Sequence, residues 1–176
     1  SVMDVLGHFR MGPGFDRPIG NEQGLKASYR GFEPLKEGDK LPKGTANERS
    51  KNRTPHKIDR VDTRIAFHFG AESPDPGKMG TDEFRIRWDG SIIAEETGVY
   101  EFTVKTENGF RLWVNDETEA NPLIDGWVSA GPQVREEKKS IYLIGGRAYR
   151  LGLEHFKFQE KSCSIELWWK PPHGVY

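Results

Sequence analysis

The sequence contains a single cysteine, Cys163, among 176 residues, so the chain cannot form an internal disulfide. It also lacks any run of about 20 apolar residues, the length that crosses a bilayer as a helix. Basic and acidic residues nearly balance, at 26 and 27. Without an excess of positive charge, there is no general attraction for nucleic acid or anionic lipid. We therefore predict no membrane insertion and no nucleic-acid partner.

Motifs that carry catalytic chemistry are missing as well. The five histidines are scattered, with no HExxH pattern, and no GxSxG, Walker-type or dinucleotide-type glycine motif occurs. The adjacent carboxylates Glu95-Glu96 and Glu136-Glu137 do not form an acid/base pair, because neighbouring residues of a strand point to opposite faces. A hydrolase would need a nucleophile, a base and oxyanion donors in one cleft. The sequence therefore predicts a protein that is not an enzyme.

Apolar residues alternate with polar ones from Ile65 to Trp169. This period of two is typical of strands with one buried face, and no sustained helical period interrupts it. The pairs Asn108-Gly109 and Gly145-Gly146 each separate two such runs and predict hairpins. Within the final run, Cys163 falls on the apolar side and is expected to be a small buried hydrophobe. The fold class predicted is all-β, an antiparallel sandwich or barrel with little helix.

The first third of the chain has a different composition. Residues 1–23 contain several prolines and glycines and are expected to be an extension or linker before a domain at 24–176. GLKASYRGF is the one early segment that predicts a strand. Residues 36–60 hold eight Lys or Arg and four acids, which predicts a long exposed loop. A solvated loop is favoured over a polyanion site, since no aromatic residue is interleaved with these charges.

Oxygen-rich loops offer one source of binding chemistry. The Glu107-Asn108 turn, the segment 115–121 and Asp125 supply carboxylate and amide oxygens, which are ligands for calcium. Their spacing does not match an EF-hand, and acidic loops also serve solubility alone. Asp125 has a structural alternative, since it can cap turn amides beside a packed Trp127.

Tryptophans offer a second source. Trp113 and Trp168 fall opposite the apolar series of their strands, and Trp127 lies in the loop DGWVSAG. Exposed aromatic rings can stack on the apolar face of a sugar. In a two-layer fold the second face of a strand can also be covered, and this alternative stays open for Trp113 and Trp168.

Several of these segments together resemble the protective-antigen (PA14) domain family. The resemblance runs from about Gly24 to Pro172 and is carried by GLKASY, FHFG, DEFRIRWDGSIIAEETGVYEFTVKTENGFRLWVND, PLIDGW, SIYLIGGRAYRLGLEHF and IELWWKPP, in this order. It implies a β-sandwich of barrel-like form, found appended to glycosidases, yeast adhesins, bacterial toxins and other exported proteins. Several members bind glycans.

The resemblance also implies where binding occurs. In the adhesins, two adjacent aspartates joined by a cis peptide precede the RLWV-like strand and hold a calcium ion that binds sugar hydroxyls. Glu107 and Asn108 stand at the matching positions, and Asp125 and Trp127 match the family's Ile-Asp-x-Trp loop. The expected metal ligands are Glu107, Asn108 and Asp125. The expected glycan-binding residues are Glu107, Asn108, Asn115, Asp116, Asp125 and Trp127.

Two functional hypotheses follow. The first is a non-catalytic, lectin-like carbohydrate-binding or adhesive module of a larger exported protein, located outside the cell or in the periplasm, with a glycan and the neighbouring domains as partners. The alternative is a structural or protein-interaction domain that binds neither glycan nor calcium.

Overall fold

The computed structural model describes residues 24–116, 118–128 and 131–173, together with the backbone of 9–10. This part of the chain forms two antiparallel sheets and one short helix, which confirms the predicted all-β sandwich with little helix. The elements, in chain order, are β1 (Phe9–Arg10), β2 (Leu25–Phe32), α1 (Ala46–Ser50), β3 (Pro55–Asp62), β4 (Ala66–Gly70), β5 (Glu83–Ile93), β6 (Gly98–Thr106), β7 (Gly109–Val114), β8 (Ile124–Gly126), β9 (Arg135–Leu143), β10 (Ala148–Phe158) and β11 (Cys163–Lys170).

The larger sheet has the strand order β3-β2-β5-β10-β7-β8, with β1 paired to β5. The smaller sheet has the order β4-β11-β6-β9. Apart from β1, the predicted extension at 1–23 lies outside the described residues. No helix in the described part of the chain is long and apolar enough to cross a bilayer.

Alternating side chains from both sheets fill the space between them. Trp88 on β5 is fully buried and stacks on Phe67 of β4, with ring centroids 6.0 Å apart. Cys163 on β11 is also fully buried, as predicted, and burial raises the pKa of its thiol to about 12. Facing apolar layers of this kind bury enough surface to stabilise a sandwich without cross-links.

Both hairpin predictions are wrong, because each of the two turns joins strands of different sheets. Asn108 and Gly109 connect β6 of the smaller sheet to β7 of the larger one. Gly145 and Gly146 connect β9 to β10 in the same manner. Period-two alternation identifies a strand and its buried face, but it carries no information about which strand will be its partner.

The buried side chain of Asn108 explains the first of these crossings. Its Nδ2 donates to the carbonyl of Ser162 over 2.9 Å, and its Oδ1 accepts from the amide of Ser164 over 3.3 Å. Neither Asn108 nor Gly109 has the positive φ that a tight Asn-Gly hairpin requires. The asparagine thus ties the start of β7 to the start of β11 instead of turning the chain back on β6.

The Gly145-Gly146 turn packs against the connection between β5 and β6, which also crosses from one sheet to the other. Gly146 has a φ of +82° and donates its amide to the carbonyl of Ala94 over 2.7 Å. The amide of Gly145 donates to the hydroxyl of Thr97. The two connections therefore lie side by side at one end of the sandwich and hold each other by hydrogen bonds.

The prediction that residues 36–60 form one long loop is also wrong in part, since this segment contains α1 and most of β3. Helix α1 begins with a capping box, in which the Thr45 hydroxyl accepts from the amide of Glu48 and the Glu48 carboxylate accepts from the amide of Thr45, each over 3.2 Å. Strand β3 pairs with β2 at the edge of the larger sheet. Charged side chains are typical of edge strands. Because β3 contains many of them, its sequence lacks the apolar alternation from which a strand is predicted.

A buried carboxylate fixes β3 to its sheet. Asp62 accepts hydrogen bonds from the Tyr29 hydroxyl over 2.5 Å and from the Trp88 indole over 2.8 Å. Arg60 pairs with the other carboxylate oxygen over 2.8 Å. Burial and the adjacent carboxylate raise the pKa of Tyr29, which stays protonated and donates. One side chain thus links β3, β2 and β5.

We expect Asn108→Ala to lower the free energy of unfolding by about 1–3 kcal/mol, because it leaves buried partners without hydrogen bonds. Chemical denaturation measures this loss. Asn121→Ala, at an exposed position, is the matched control and should change stability by less than about 0.5 kcal/mol. Equal effects of the two variants would contradict the structural role of Asn108.

His155 generates a pH-dependent prediction. It is fully buried, its Nε2 lies 3.2 Å from both Thr106 Oγ1 and Asn108 Oδ1, and burial lowers its pKa to about 3. The unfolded chain, with a histidine pKa of about 6.5, binds this proton first, so stability decreases as the pH falls below about 6.5. We expect a loss of about 2 kcal/mol between pH 7 and pH 5.

His155→Gln should remove most of this pH dependence, although it also lowers stability at pH 7. The measurement is the free energy of unfolding of both proteins across this pH range. If the variant loses stability as steeply as the parent protein, His155 is not the group responsible.

Candidate ligand-binding groove

An open groove of about 820 Å³ lies on the outer face of the larger sheet, opposite the core. Its floor consists of side chains from β2, β5 and β10, and α1 forms one wall. Trp127, which follows β8, also lines it. We call this depression the outer groove. Concave surfaces with both aromatic and polar side chains are the usual places for small ligands to bind.

The sheet register places basic side chains in a row across the outer groove. Lys57 pairs in register with Arg30, Arg30 with Arg85, and Arg85 with Phe156. These residues come from β3, β2, β5 and β10, so neighbours in the row are about 4.8 Å apart. We call Lys57, Arg30 and Arg85 the basic row. Lys57 belongs to the segment 36–60, which was predicted to be a solvated loop.

An aromatic pair lies at the end of this row. The rings of Phe156 and Trp127 are 4.4 Å apart between centroids, at an angle of 43°. The guanidinium of Arg111 lies 4.3 Å from the centre of the Trp127 ring. Gly109 makes room for this pair, because a Cβ there would overlap the Phe156 ring and come within 2.5 Å of the Trp127 carbonyl oxygen. Both rings are half-buried, so part of their apolar surface faces the groove.

The wall formed by α1 is attached through Arg49. Its guanidinium makes hydrogen bonds of 2.9 and 3.2 Å to the two carboxylate oxygens of Glu83 on β5. It also lies 4.7 Å from the centre of the Phe158 ring. A two-point contact of this kind holds the guanidinium plane in one orientation. Despite its five residues, α1 is therefore fixed relative to the sheet.

Glu107 and Asn108, the pair expected to bind calcium, do not present two side chains to solvent. Glu107 is half-buried and accepts a hydrogen bond of 3.3 Å from the Ser162 hydroxyl. The amide group of Asn108 is buried, with its oxygen and nitrogen both hydrogen-bonded within the protein. No cis peptide bond occurs in the described residues. Among those residues, no group of three or more His, Cys, Asp or Glu side chains is placed to hold a metal ion.

Asp125 takes the structural role that the sequence left open. Its Oδ1 accepts from the amide of Trp127 over 3.2 Å and from Arg111 Nε, also over 3.2 Å. Since Arg111 in turn covers the Trp127 ring, the carboxylate fixes both the backbone and the side chain at this end of the outer groove. Of the expected glycan-binding residues, Trp127 lines the groove and Asp125 supports it.

Asn115 and Asp116 lie elsewhere. They follow the last residue of β7, whereas Glu107 and Asn108 precede its first, so about 20 Å of strand separates the two groups. Asp116 accepts from the Thr118 hydroxyl over 2.7 Å and from the amide of Asn121 over 2.7 Å, and these bonds lower the pKa of its carboxyl group. The structure thus divides the expected site into two separate sets.

Trp113 and Trp168, the two other tryptophans that the sequence singled out, lie outside the groove, and each has a cation over its ring. Trp113 is buried, donates its indole N–H to the carbonyl of Glu119 over 3.1 Å, and lies under the guanidinium of Arg87. Trp168, on the smaller sheet, is half-buried and lies under the Lys105 ammonium at 4.0 Å. The alternative of a covered second face is therefore correct for Trp113 and holds in part for Trp168.

Sequence reasoning missed most of the outer groove. Its residues come from five elements that are distant along the chain, and no local motif connects them. One signal was available, since the capping box at Thr45 and Glu48 predicts a helix within the presumed loop.

Comparisons with known proteins agree with the sandwich architecture. A family model described as the PA14 domain matches residues 23–176. The epithelial adhesin 9 A domain from Candida glabrata, solved in complex with Galb1-4GlcNAc, has a TM-score of 0.63 and 13% identity, covering 96% of this chain and 91% of that chain. At this identity, the similarity concerns the fold alone.

Two bacterial proteins are more similar in sequence. The anti-sigma-I factor RsgI3 of Acetivibrio thermocellus is 32% identical over 110 residues, which are 62% of this chain and 16% of that protein. An anti-sigma factor domain-containing protein from Clostridium clariflavum is 28% identical, with a TM-score of 0.62, over 86% of this chain and 43% of that chain. This chain thus spans less than half the length of either.

Proposed function

We propose that this chain, which belongs to the PA14 domain family, is a non-catalytic carbohydrate-binding module of a larger exported protein and binds its glycan in the outer groove. The observation that carries the proposal is the aromatic pair Trp127 and Phe156, which lies at the end of a groove that also contains polar and charged side chains. Sugars combine apolar C–H faces with many hydroxyl groups, and they need both kinds of surface.

The polar side chains of the outer groove suit hydroxyl recognition. Asn47 and Ser50 on α1 supply amide and hydroxyl groups, and Arg30 supplies guanidinium donors from the sheet. The Arg30 guanidinium is held in place by Asp59, 3.0 Å away, and by the carbonyl of Tyr29, 2.9 Å away. A donor that is already oriented loses less entropy when a ligand binds.

Binding is better supported than cleavage. In the part of the chain that the structure describes, Glu83 is the one carboxylate residue that lines the outer groove, and both of its side-chain oxygens are bonded to Arg49. Most glycoside hydrolases require a pair of carboxylates on either side of the bond that breaks. An open groove also buries little ligand surface, so we expect weak affinity for a single oligosaccharide and a gain from multivalency.

The relatives are consistent with an extracellular or cell-surface location. The adhesin domain with the same fold was solved with a bound disaccharide, and the anti-sigma factors contain this module as a part of longer chains. In such a protein, a glycan-binding module would place the remaining domains next to a polysaccharide or a cell surface.

One observation favours the alternative of a protein-interaction domain. Val99 and Tyr142 form a cross-strand pair on β6 and β9, at the edge of the smaller sheet, and they are 55% and 62% exposed. Exposed apolar pairs at a sheet edge can contact another protein domain. Tyr142→Ser would weaken such a contact without affecting the outer groove on the opposite sheet.

We expect Trp127→Ala to weaken glycan binding at least tenfold, about 1.4 kcal/mol, because it removes half of the aromatic pair. The ligand is first identified on a glycan array, and its affinity is then measured by calorimetry. Trp168→Ala, which removes a half-buried tryptophan from the smaller sheet, is the matched control and should keep its affinity within about twofold. If both variants are folded and neither loses affinity, the glycan binds outside this groove.

Calcium binding through Glu107, Asn108 and Asp125 stays a prediction of the family resemblance. Because hydrogen bonds within the protein already use the Asn108 amide and Asp125, we expect glycan affinity to be the same in EDTA and in millimolar calcium. The midpoint of thermal unfolding should also be unchanged, since a ligand that binds the folded state would raise it. A calcium-dependent increase that Glu107→Ala abolishes would contradict this expectation and support a metal loop.

A further inference from the structure

Charge is distributed unevenly over the outer face of the larger sheet. Along the row next to the basic row, Arg87 lies 3.3 Å from Glu154, and Arg111 lies 3.2 Å from Asp125. Positive and negative groups therefore alternate there and compensate one another. The basic row itself contains three cations and no carboxylate between β3 and β10.

Two members of the basic row have little compensation. Lys57 is exposed and, within the described residues, takes part in no ion pair. The side chain of Arg85 is 62% exposed, and the nearest carboxylate oxygen of Glu154 is 3.9 Å from its Nη1. Arg30, between them, is paired with Asp59. The outer groove thus contains positive charge that the described residues do not neutralise.

This local excess contrasts with the protein as a whole. The formal net charge of the chain is −1, so a polyanion gains nothing from the overall field of the molecule. Any preference for an anionic ligand must arise from a local cluster of cations. Among the described residues, the outer groove is lined by Arg30, Arg49, Lys57 and Arg85 and by one carboxylate, Glu83, which is paired with Arg49.

We infer that the glycan bound in the outer groove is acidic and carries carboxylate or sulfate groups along its chain, which contact Lys57 and Arg85. This inference rests on the proposed carbohydrate-binding function and specifies its ligand class. Guanidinium groups bind carboxylate and sulfate through two parallel hydrogen bonds, whereas an ammonium acts as a point charge.

The geometry of the groove fits a charged sugar polymer better than a small free anion. The basic row extends about 10 Å across three strands, so it can contact anionic groups on successive sugars. At its end, Phe156 and Trp127 provide apolar surface for a pyranose ring. A free carboxylate or sulfate ion would use the cations and leave the aromatic pair without a role.

The test compares oligosaccharides that share a backbone and differ in charge. We would array β-1,4-glucan, β-1,4-mannan and α-1,4-galactan oligomers in three forms each: neutral, oxidised to the carboxylate at C6, and sulfated at C6. The full chain is probed at low and at high salt. We expect at least one backbone to bind about tenfold more tightly in an anionic form than in its neutral form, with the difference decreasing at high salt. The carboxylate and sulfate arms identify which anion is preferred.

The variants Lys57→Gln and Arg85→Gln should each reduce this preference about threefold to tenfold, because they weaken binding of the anionic form more than binding of the neutral form. Lys139→Gln, at an exposed position of β9 on the smaller sheet, is the matched control and should behave as the parent protein. Both Lys57 and Arg85 are exposed, so the fold should tolerate their substitution, and circular dichroism verifies this.

The outcomes separate this inference from the function on which it rests. Binding to neutral forms with no anionic preference would overturn the acidic ligand and keep the carbohydrate-binding function. An anionic preference that Lys139→Gln reduces as much as Arg85→Gln would also overturn it, since the attraction would then be unspecific. Failure to bind any form would overturn the carbohydrate-binding function together with the inference.

Discussion

The side chain of Asn108 is buried where the chain leaves the smaller sheet and enters the larger one, and much of the outer groove depends on it. Its hydrogen bonds to Ser162 and Ser164 fix the first residue of β7 against β11. Gly109 then leaves the space in which Phe156 lies against Trp127. A buried amide with satisfied hydrogen bonds specifies one arrangement, because any other leaves polar groups unpaired in the core. The same contacts therefore join the sheets and position the aromatic end of the groove.

The chain alternates between the two sheets at most of its connections, and this topology explains how the basic row is assembled. Lys57, Arg30 and Arg85 come from three strands that pair laterally, and Phe156 comes from a strand near the end of the chain. Residues in one row are thus separated by tens of positions in sequence. The segment 36–60 contains no aromatic residue of its own, but folding brings Arg49 to Phe158 and Arg53 to Phe32. A cluster of cations and rings can therefore exist without a local motif.

The sequence predicted the properties that depend on alternation: the strands, their buried faces, the burial of Cys163 and the scarcity of helix. It could not predict strand partners, and both turns predicted as hairpins are crossings for that reason. It missed β3, whose charged residues lie at an edge, and it named Asn108 as a candidate ligand in a hairpin turn, whereas the structure buries its amide. Trp127, which the sequence singled out, lines the outer groove, whereas its partner Phe156 looked like one more strand residue.

Strand β3 alternates between a residue that packs on the core, Ile58, and an exposed one, Lys57. A slip of one position along β2 would exchange them, and it would place an ammonium in the core and an isoleucine on the surface. The three partners of Asp62 forbid such a slip, since the carboxylate would lose Tyr29 and Trp88. Asp62, about 17 Å further along the strand, thus fixes the register that keeps Lys57 on the outer face. Through this register, a buried acid determines the sign of the electrostatic potential above the sheet.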